Sequence, residues 1–436
     1  MKKTKQSIIS AGGVSYLLPF ILVTACFALW GFANDITNPM VKAFSKIFRM
    51  SVTDGALVQV AFYGGYFAMA FPAAIFIRKF SYKSGILLGL GLYAIGALLF
   101  FPAMRTGEYY PFLIAYFILT CGLSFLETSA NPYILSMGTE ETSTRRLNLA
   151  QSFNPMGSLV GMMVAMNFIQ ARLNPMDTAE RAMLGDAEFE AMKQSDLAVL
   201  IAPYLIIGLV IAAMFFLIKF TKMPVGQDKT NGINFWATIK RIFSIPRYRE
   251  GVVAQFFYVG AQIMCWTFII QYGTRILMET GMTEKDAEVL SQRYNIIAMV
   301  IFCVSRFICT FLLKYINPGK LLAILAVAGG CFTLGVIFMQ DINGLYCLVA
   351  VSACMSLMFP TIYGIALKGL GEDAKFGAAG LIMAILGGSV LPPVQAAIID
   401  MEVLFGMPAV NLSFVLPFVC FLVIIAYGYR AYKKAW

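Results

Sequence analysis

Twelve long apolar runs divide this chain, at about residues 14–38, 55–77, 84–104, 109–137, 147–171, 196–218, 251–278, 294–314, 320–339, 343–367, 376–399 and 409–430. A helix crossing the hydrocarbon of a bilayer needs roughly 20 mostly apolar residues, so each run is long enough to span. In lipid the backbone has to satisfy its own hydrogen bonds, which a helix does within one segment. Composition agrees: 59% of the 436 residues are hydrophobic and 13% are charged, too apolar a balance for a surface facing water on every side. The expectation is an all-α membrane protein with twelve transmembrane helices.

The charges then report topology. Formal net charge is +10, yet the basic residues lie in short loops between the runs and form no patch on a soluble domain, which argues against a nucleic-acid partner. Placing both termini in the cytoplasm puts most Lys and Arg inside, among them Lys219, Lys222, Lys229, Lys240, Arg241, Arg247 and Arg249. The basic start MKKTKQSIIS is followed by no small-residue cleavage site and reads as a retained cytoplasmic tail. A monomer in the inner membrane, multi-pass, with cytoplasmic N- and C-termini, is expected.

Those seven basic residues belong to segment 219–250, which reads as a cytoplasmic linker between an N-terminal six-helix bundle, 1–218, and a C-terminal one, 251–436. Within it FWATIKRIFSIPRY repeats its apolar residues at helical spacing beside Lys240 and Arg241, as in a helix lying on a membrane surface. The halves also echo each other. FIRKFSYKSGILLGLG after the second run and LLKYINPGKLLAILAV after the eighth share a basic–aromatic exit, a short turn, a second Lys and an apolar run. Such echoes mark duplicated units.

All nine cysteines fall inside apolar runs, so a disulfide or zinc framework is not expected, and each is read as buried packing. The chain has no histidine, which leaves proton chemistry to carboxylates. No nucleophile–base set is legible among the runs, so an enzyme has no support and no cofactor or metal is called for.

A charge at bilayer depth costs about 2.5–3.5 kcal/mol even on mild insertion scales, so an acid inside a run is a functional candidate. Glu127, in TCGLSFLETSANPY, has at least ten residues of the fourth run on either side, too deep for snorkelling. Burial disfavours a carboxylate's charged form, which suits a group that takes up and releases a proton. Asp35, in LWGFANDITNP near the outer end of the first run, lies among the amides Asn34 and Asn38 and before Pro39; an interfacial helix-end acid is the alternative reading.

Amides supply candidate contacts for a hydroxyl-rich ligand. Asn131 follows Glu127 by one turn. In RRLNLAQSFNPMG, residues Asn148, Gln151 and Asn154 recur at steps of three, which would align them on one helical face. In AQFFYVGAQIMCWTFIIQYG, Gln255, Tyr258, Gln262 and Trp266 recur at steps of three and four, an aromatic pair and two amides fit to hold a sugar ring. Interhelical hydrogen bonding is the competing role for Asn148, Gln151 and Asn154, and a lipid-facing or core position is that for Trp266. Arg306, deep in the eighth run, is read as structural or gating, with an acid as one possible partner.

FLETSANPY, RLNLAQSFNPMG, AQFFYVGAQIMCW and FPTIYGIALKGLG, in that order, resemble the major facilitator superfamily, and within it the fucose–galactose–glucose–proton symporters. The loop IRKFSYKSG is similar to the form that family has after helix two. The resemblance covers nearly the whole chain. It implies the major facilitator fold, two pseudo-symmetric six-helix bundles around a central cavity, and import of a monosaccharide, L-fucose first, by proton symport through alternating access. Glu127 falls on the family's helix-four acid, which links proton uptake to sugar binding. Counting eight residues from Trp30 reaches Asn38 where the family has an aspartate; this chain offers Asp35 instead, nearly one turn earlier. Asp35 is then a second proton carrier or a sugar contact, or the coupling differs. Glucose, galactose or N-acetylhexosamine as substrate, sodium as coupling ion, uncoupled passage and a non-transporting sugar sensor stay open.

Overall fold

The apolar runs fold as helices, as lipid requires. The structure is a computed structural model that describes residues 10–11, 14–37, 40–50, 57–170, 172–174, 176, 180–181, 183–223, 235–399, 401 and 403–436. The first four runs form α1 (Leu17–Thr37), α2 (Leu57–Lys79), α3 (Tyr82–Leu98) and α4 (Tyr110–Ser136). The fifth is broken into α5 (Ser143–Gln151) and α6 (Asn154–Val164) by a turn at Ser152 and Phe153, and ends in a π-helical stretch, Ala165–Gln170. Pro155 explains the break, because it has no N–H to offer the carbonyl of Gln151 four residues back.

The later runs form α7 (Asp186–Phe220), α8 (Pro246–Glu279), α9 (Glu284–Leu312), α10 (Pro318–Phe338), α11 (Ile342–Met355) with α12 (Met358–Leu367), α13 (Ala374–Met383) with α14 (Gly387–Ile399), and α15 (Val415–Lys433). Eleven helical stretches among the described residues are long and apolar enough to cross a membrane, and the broken fifth run is the twelfth. The linker segment FWATIKRIFS is a helix, Phe235–Ser244, whose Arg241 grips Asp373 with two bonds of 2.8 Å. The two echoed loops end alike. Ser81 caps α3 by accepting from the Ser84 N–H, and Asn317 caps α10 by accepting from the N–H groups of Gly319 and Lys320.

Contacts divide the chain into two units. The first comprises residues 15–133 and 153–231; the second comprises 1–14, 134–152 and 232–436. The end of α4 and all of α5 thus pack with the C-terminal helices. Small residues set the close approaches within each unit, as packing in lipid demands. In the first, a Cβ on Gly157 would come 1.8 Å from the Ala28 carbonyl oxygen, and one on Gly65 would come 2.0 Å from Thr120 Oγ1. These glycines let α6 lie on α1 and α2 on α4. In the second, Gly387 approaches the Phe256 carbonyl in the same way, bringing α14 against α8.

Seven cysteines are buried, but Cys331 is exposed and Cys347 only half-buried, against the expectation of buried packing for all nine. A thiol is apolar enough to face hydrocarbon, so burial in protein is not required of it. Outside the core of the first unit, Arg181 and Asp196 form a buried pair at 2.7 Å that fastens the stretch before α7.

Candidate functional site

Glu127 lies inside α4, about two thirds of the way along it, and is only 5% exposed. Its carboxylate accepts a hydrogen bond of 3.0 Å from the hydroxyl of Tyr66 on α2. Among the described residues no Lys or Arg is paired with it. One turn on, the Asn131 amide donates to the backbone carbonyl of Glu127 at 2.9 Å, fixing the helix where Pro132 follows.

Asp35 and Asn34 sit in the last turn of α1 and are half-buried. Asp35 is an electrostatic neighbour of Tyr63 on α2, one turn before Tyr66. The Asn34 side-chain oxygen is buried with no hydrogen-bond partner. Asn38 lies outside the described residues. Asn154, at the start of α6, spends its amide on the Phe27 carbonyl of α1 at 3.1 Å. These belong to the first unit.

The second unit holds the other candidates. Asn148 donates to the Thr144 carbonyl at 2.9 Å and to Thr361 Oγ1 on α12 at 3.2 Å, while its own side-chain oxygen has no partner. Gln151 is buried at the end of α5. The single face expected for Asn148, Gln151 and Asn154 does not form, because the turn after Gln151 interrupts the helix before Asn154. On α8, Tyr258 is fully buried and donates to the Met355 carbonyl at 3.1 Å, and Trp266 Nε1 donates to Ser352 Oγ at 3.1 Å with its ring edge-on to Phe302. Gln262 is half-buried. Gln255 is fully buried with neither side-chain polar atom bonded, which sets it apart from its neighbours.

Arg306 is 4% exposed and, among the described residues, meets no acid; it donates to two carbonyls. Nη1 donates to the Gln151 carbonyl at 3.1 Å and Nε to that of Ser356, with the guanidinium over the Phe302 ring. Both carbonyls stand four residues before a proline, Pro155 and Pro360, and so have lost their helical donor. One guanidinium fork replaces two missing backbone N–H groups.

Sequence reasoning named neither Tyr66 nor Tyr63, since an aromatic in an apolar helix reads as packing. The glycine pair before Tyr66 in FYGGYFAMAF, which marks where α2 must approach another helix, was the available signal.

A chain of twelve helical crossings with a buried carboxylate that no Lys or Arg pairs with among the described residues, and buried amides in both units, is built like a secondary carrier. Residues 23–393 match the family model of the Major Facilitator Superfamily, and the chain belongs to that superfamily. It is 51% identical over 424 residues to a protein of Haemophilus influenzae named L-fucose-proton symporter, covering 96% of this chain and 97% of that one. The protein of the same name from Escherichia coli is 35% identical over 419 residues, covering 95% and 93%. A crystal structure titled as the transporter FucP in the outward conformation matches with a TM-score of 0.85 at 34% identity, over 95% of this chain and 99% of that one. The fold is that of this superfamily, and the relatives are transporters, not enzymes.

Proposed function

We propose that this protein imports L-fucose with a proton by alternating access, as a monomer in the inner membrane with both termini in the cytoplasm. The observation that carries the reading is the likeness, over nearly the full length of both chains, to a protein named L-fucose-proton symporter. Glu127 supports the coupling. It is a carboxylate inside a membrane helix with a hydroxyl partner and no cation beside it among the described residues, so charging and neutralising it changes the energy of the buried site.

In this mechanism Glu127 takes a proton from the outer side, and the neutral acid permits sugar to be enclosed. Deprotonation toward the cytoplasm accompanies release. Asp35, beside Tyr63, is the second acid, either a co-carrier or a sugar contact. Buried polar groups without partners are the ones a sugar hydroxyl satisfies at least cost. Among the candidate amides these are Asn34 in the first unit, and Asn148 and Gln255 in the second. Gln151, Asn131, Asn154 and Gln262 are further candidates, and Tyr258 and Trp266 supply ring surface, because their donors are already committed.

The test is uptake of labelled L-fucose into proteoliposomes under an imposed inward proton gradient. Accumulation above equilibrium, lost with a protonophore and weakly inhibited by glucose, galactose or N-acetylhexosamine, is expected. Accumulation under a sodium gradient alone overturns the coupling ion, and absence of L-fucose counterflow overturns the substrate.

A further inference from the structure

We infer that Tyr66 is a positioning residue for proton transfer at Glu127, a hydroxyl donor fixed against α4 that holds the carboxylate aimed. The inference rests on the symport reading and adds a residue to it. No helix register forces a tyrosine to meet this acid; the meeting is built by the α2–α4 contact.

Three features build it. Gly65 removes the side chain that would strike Thr120, so the backbone of α2 comes against α4 next to Tyr66. Ser124, one turn before Glu127, donates to the Tyr66 carbonyl at 3.0 Å, which fixes the register of the two helices. Phe62 packs on the Tyr66 ring with centroids 5.7 Å apart, limiting its swing. The hydroxyl that results is held 3.0 Å from Glu127 Oε1, and both side chains are almost closed to solvent.

The titratable groups facing this hydroxyl are few. Glu127 faces it from α4, Tyr63 from α2 itself and Tyr93 from α3, with Asp35 of α1 next beyond Tyr63. The Tyr93 hydroxyl is already committed to the Leu29 carbonyl at 3.0 Å. Among the described residues, Tyr66 thus donates to the Glu127 carboxylate. A donated hydrogen bond is stronger to an ionised carboxylate than to a neutral one, so it favours the charged form. The transported proton comes from outer water, binds Glu127 and leaves to the cytoplasm; Tyr66 keeps its own proton throughout. Without Tyr66 the acid still binds a proton but releases it less readily.

Tyr66→Phe deletes one oxygen and keeps the ring. The loss of a hydrogen bond to a charged group should move the pH of half-maximal L-fucose uptake in proteoliposomes upward by about one unit. Counterflow, which needs no net proton release, should stay within about twofold of the parent. Tyr63→Phe, one turn away, should leave the midpoint within a few tenths of a unit. An unchanged midpoint in Tyr66→Phe, or an equal shift in Tyr63→Phe, overturns the inference. Loss of L-fucose counterflow in the parent would instead overturn the symport reading. Should Tyr66→Phe not fold, infrared difference spectra of the parent decide: the carboxyl stretch that vanishes in Glu127→Gln lies at the frequency of a hydrogen-bonded acid, whereas a free-acid frequency contradicts the role.

Discussion

Glu127 and Arg306 are buried to almost the same degree, at 5% and 4% exposure, each inside a membrane helix and in different units of the chain. Burial alone therefore does not say what either does. Their partners differ. Arg306 is held by backbone carbonyls that prolines have left without donors, groups that cannot change charge or leave. Glu127 is held by one hydroxyl, and no Lys or Arg pairs with it among the described residues. A charge locked to fixed carbonyls braces helices, whereas a carboxylate with a single neutral donor can become neutral in place. In the proposed mechanism, exchangeability and not depth marks the coupling group.

The largest effect that sharpens this contrast comes from Glu127→Gln. The amide keeps an acceptor for Tyr66 and cannot ionise, so accumulation of L-fucose against its gradient should fall to equilibrium, more than tenfold in a strongly driven assay, while counterflow persists. Gradient-driven accumulation in this variant would break the comparison.

Replacing Arg306 comes next. Arg306→Met removes donors from two buried carbonyls, each a hydrogen bond worth about 1.5–3 kcal/mol to a charged donor. A clearly lower melting temperature in detergent is expected, with accumulation and counterflow falling together. Arg306→Lys should recover only part, because an ammonium lacks the fork that reaches both carbonyls. Loss of accumulation alone, with counterflow and melting unchanged, would make Arg306 a coupling group and end the distinction.

Asp35→Asn should be the mildest, a few-fold decrease in uptake with accumulation retained. Asp35 is half-buried at a helix end, where an acid is not forced to choose between charge and burial as Glu127 is. A complete loss of accumulation would raise Asp35 to equal standing.

Most of the fold was legible because lipid imposes long apolar helices, and the position of Glu127 within its run made it stand out without any knowledge of neighbours. What the sequence hid was partnership. The step of three from Asn148 to Gln151 to Asn154 assumed an unbroken helix, though Pro155 was present to break it. Arg306 invited an acidic partner, but the carbonyls freed by Pro155 and Pro360 met its need, a pairing that depends on two distant segments converging. Tyr66 looked like any aromatic in an apolar helix until Gly65 and Ser124 fixed its register against α4.

The central claim, that Glu127 carries the transported proton, is tested most directly by the pH of a lightly buffered suspension of vesicles when L-fucose is added. The parent should alkalinise the outer medium on sugar addition and Glu127→Gln should not, although it still exchanges labelled sugar. Sugar-evoked alkalinisation of equal size in Glu127→Gln would contradict the account.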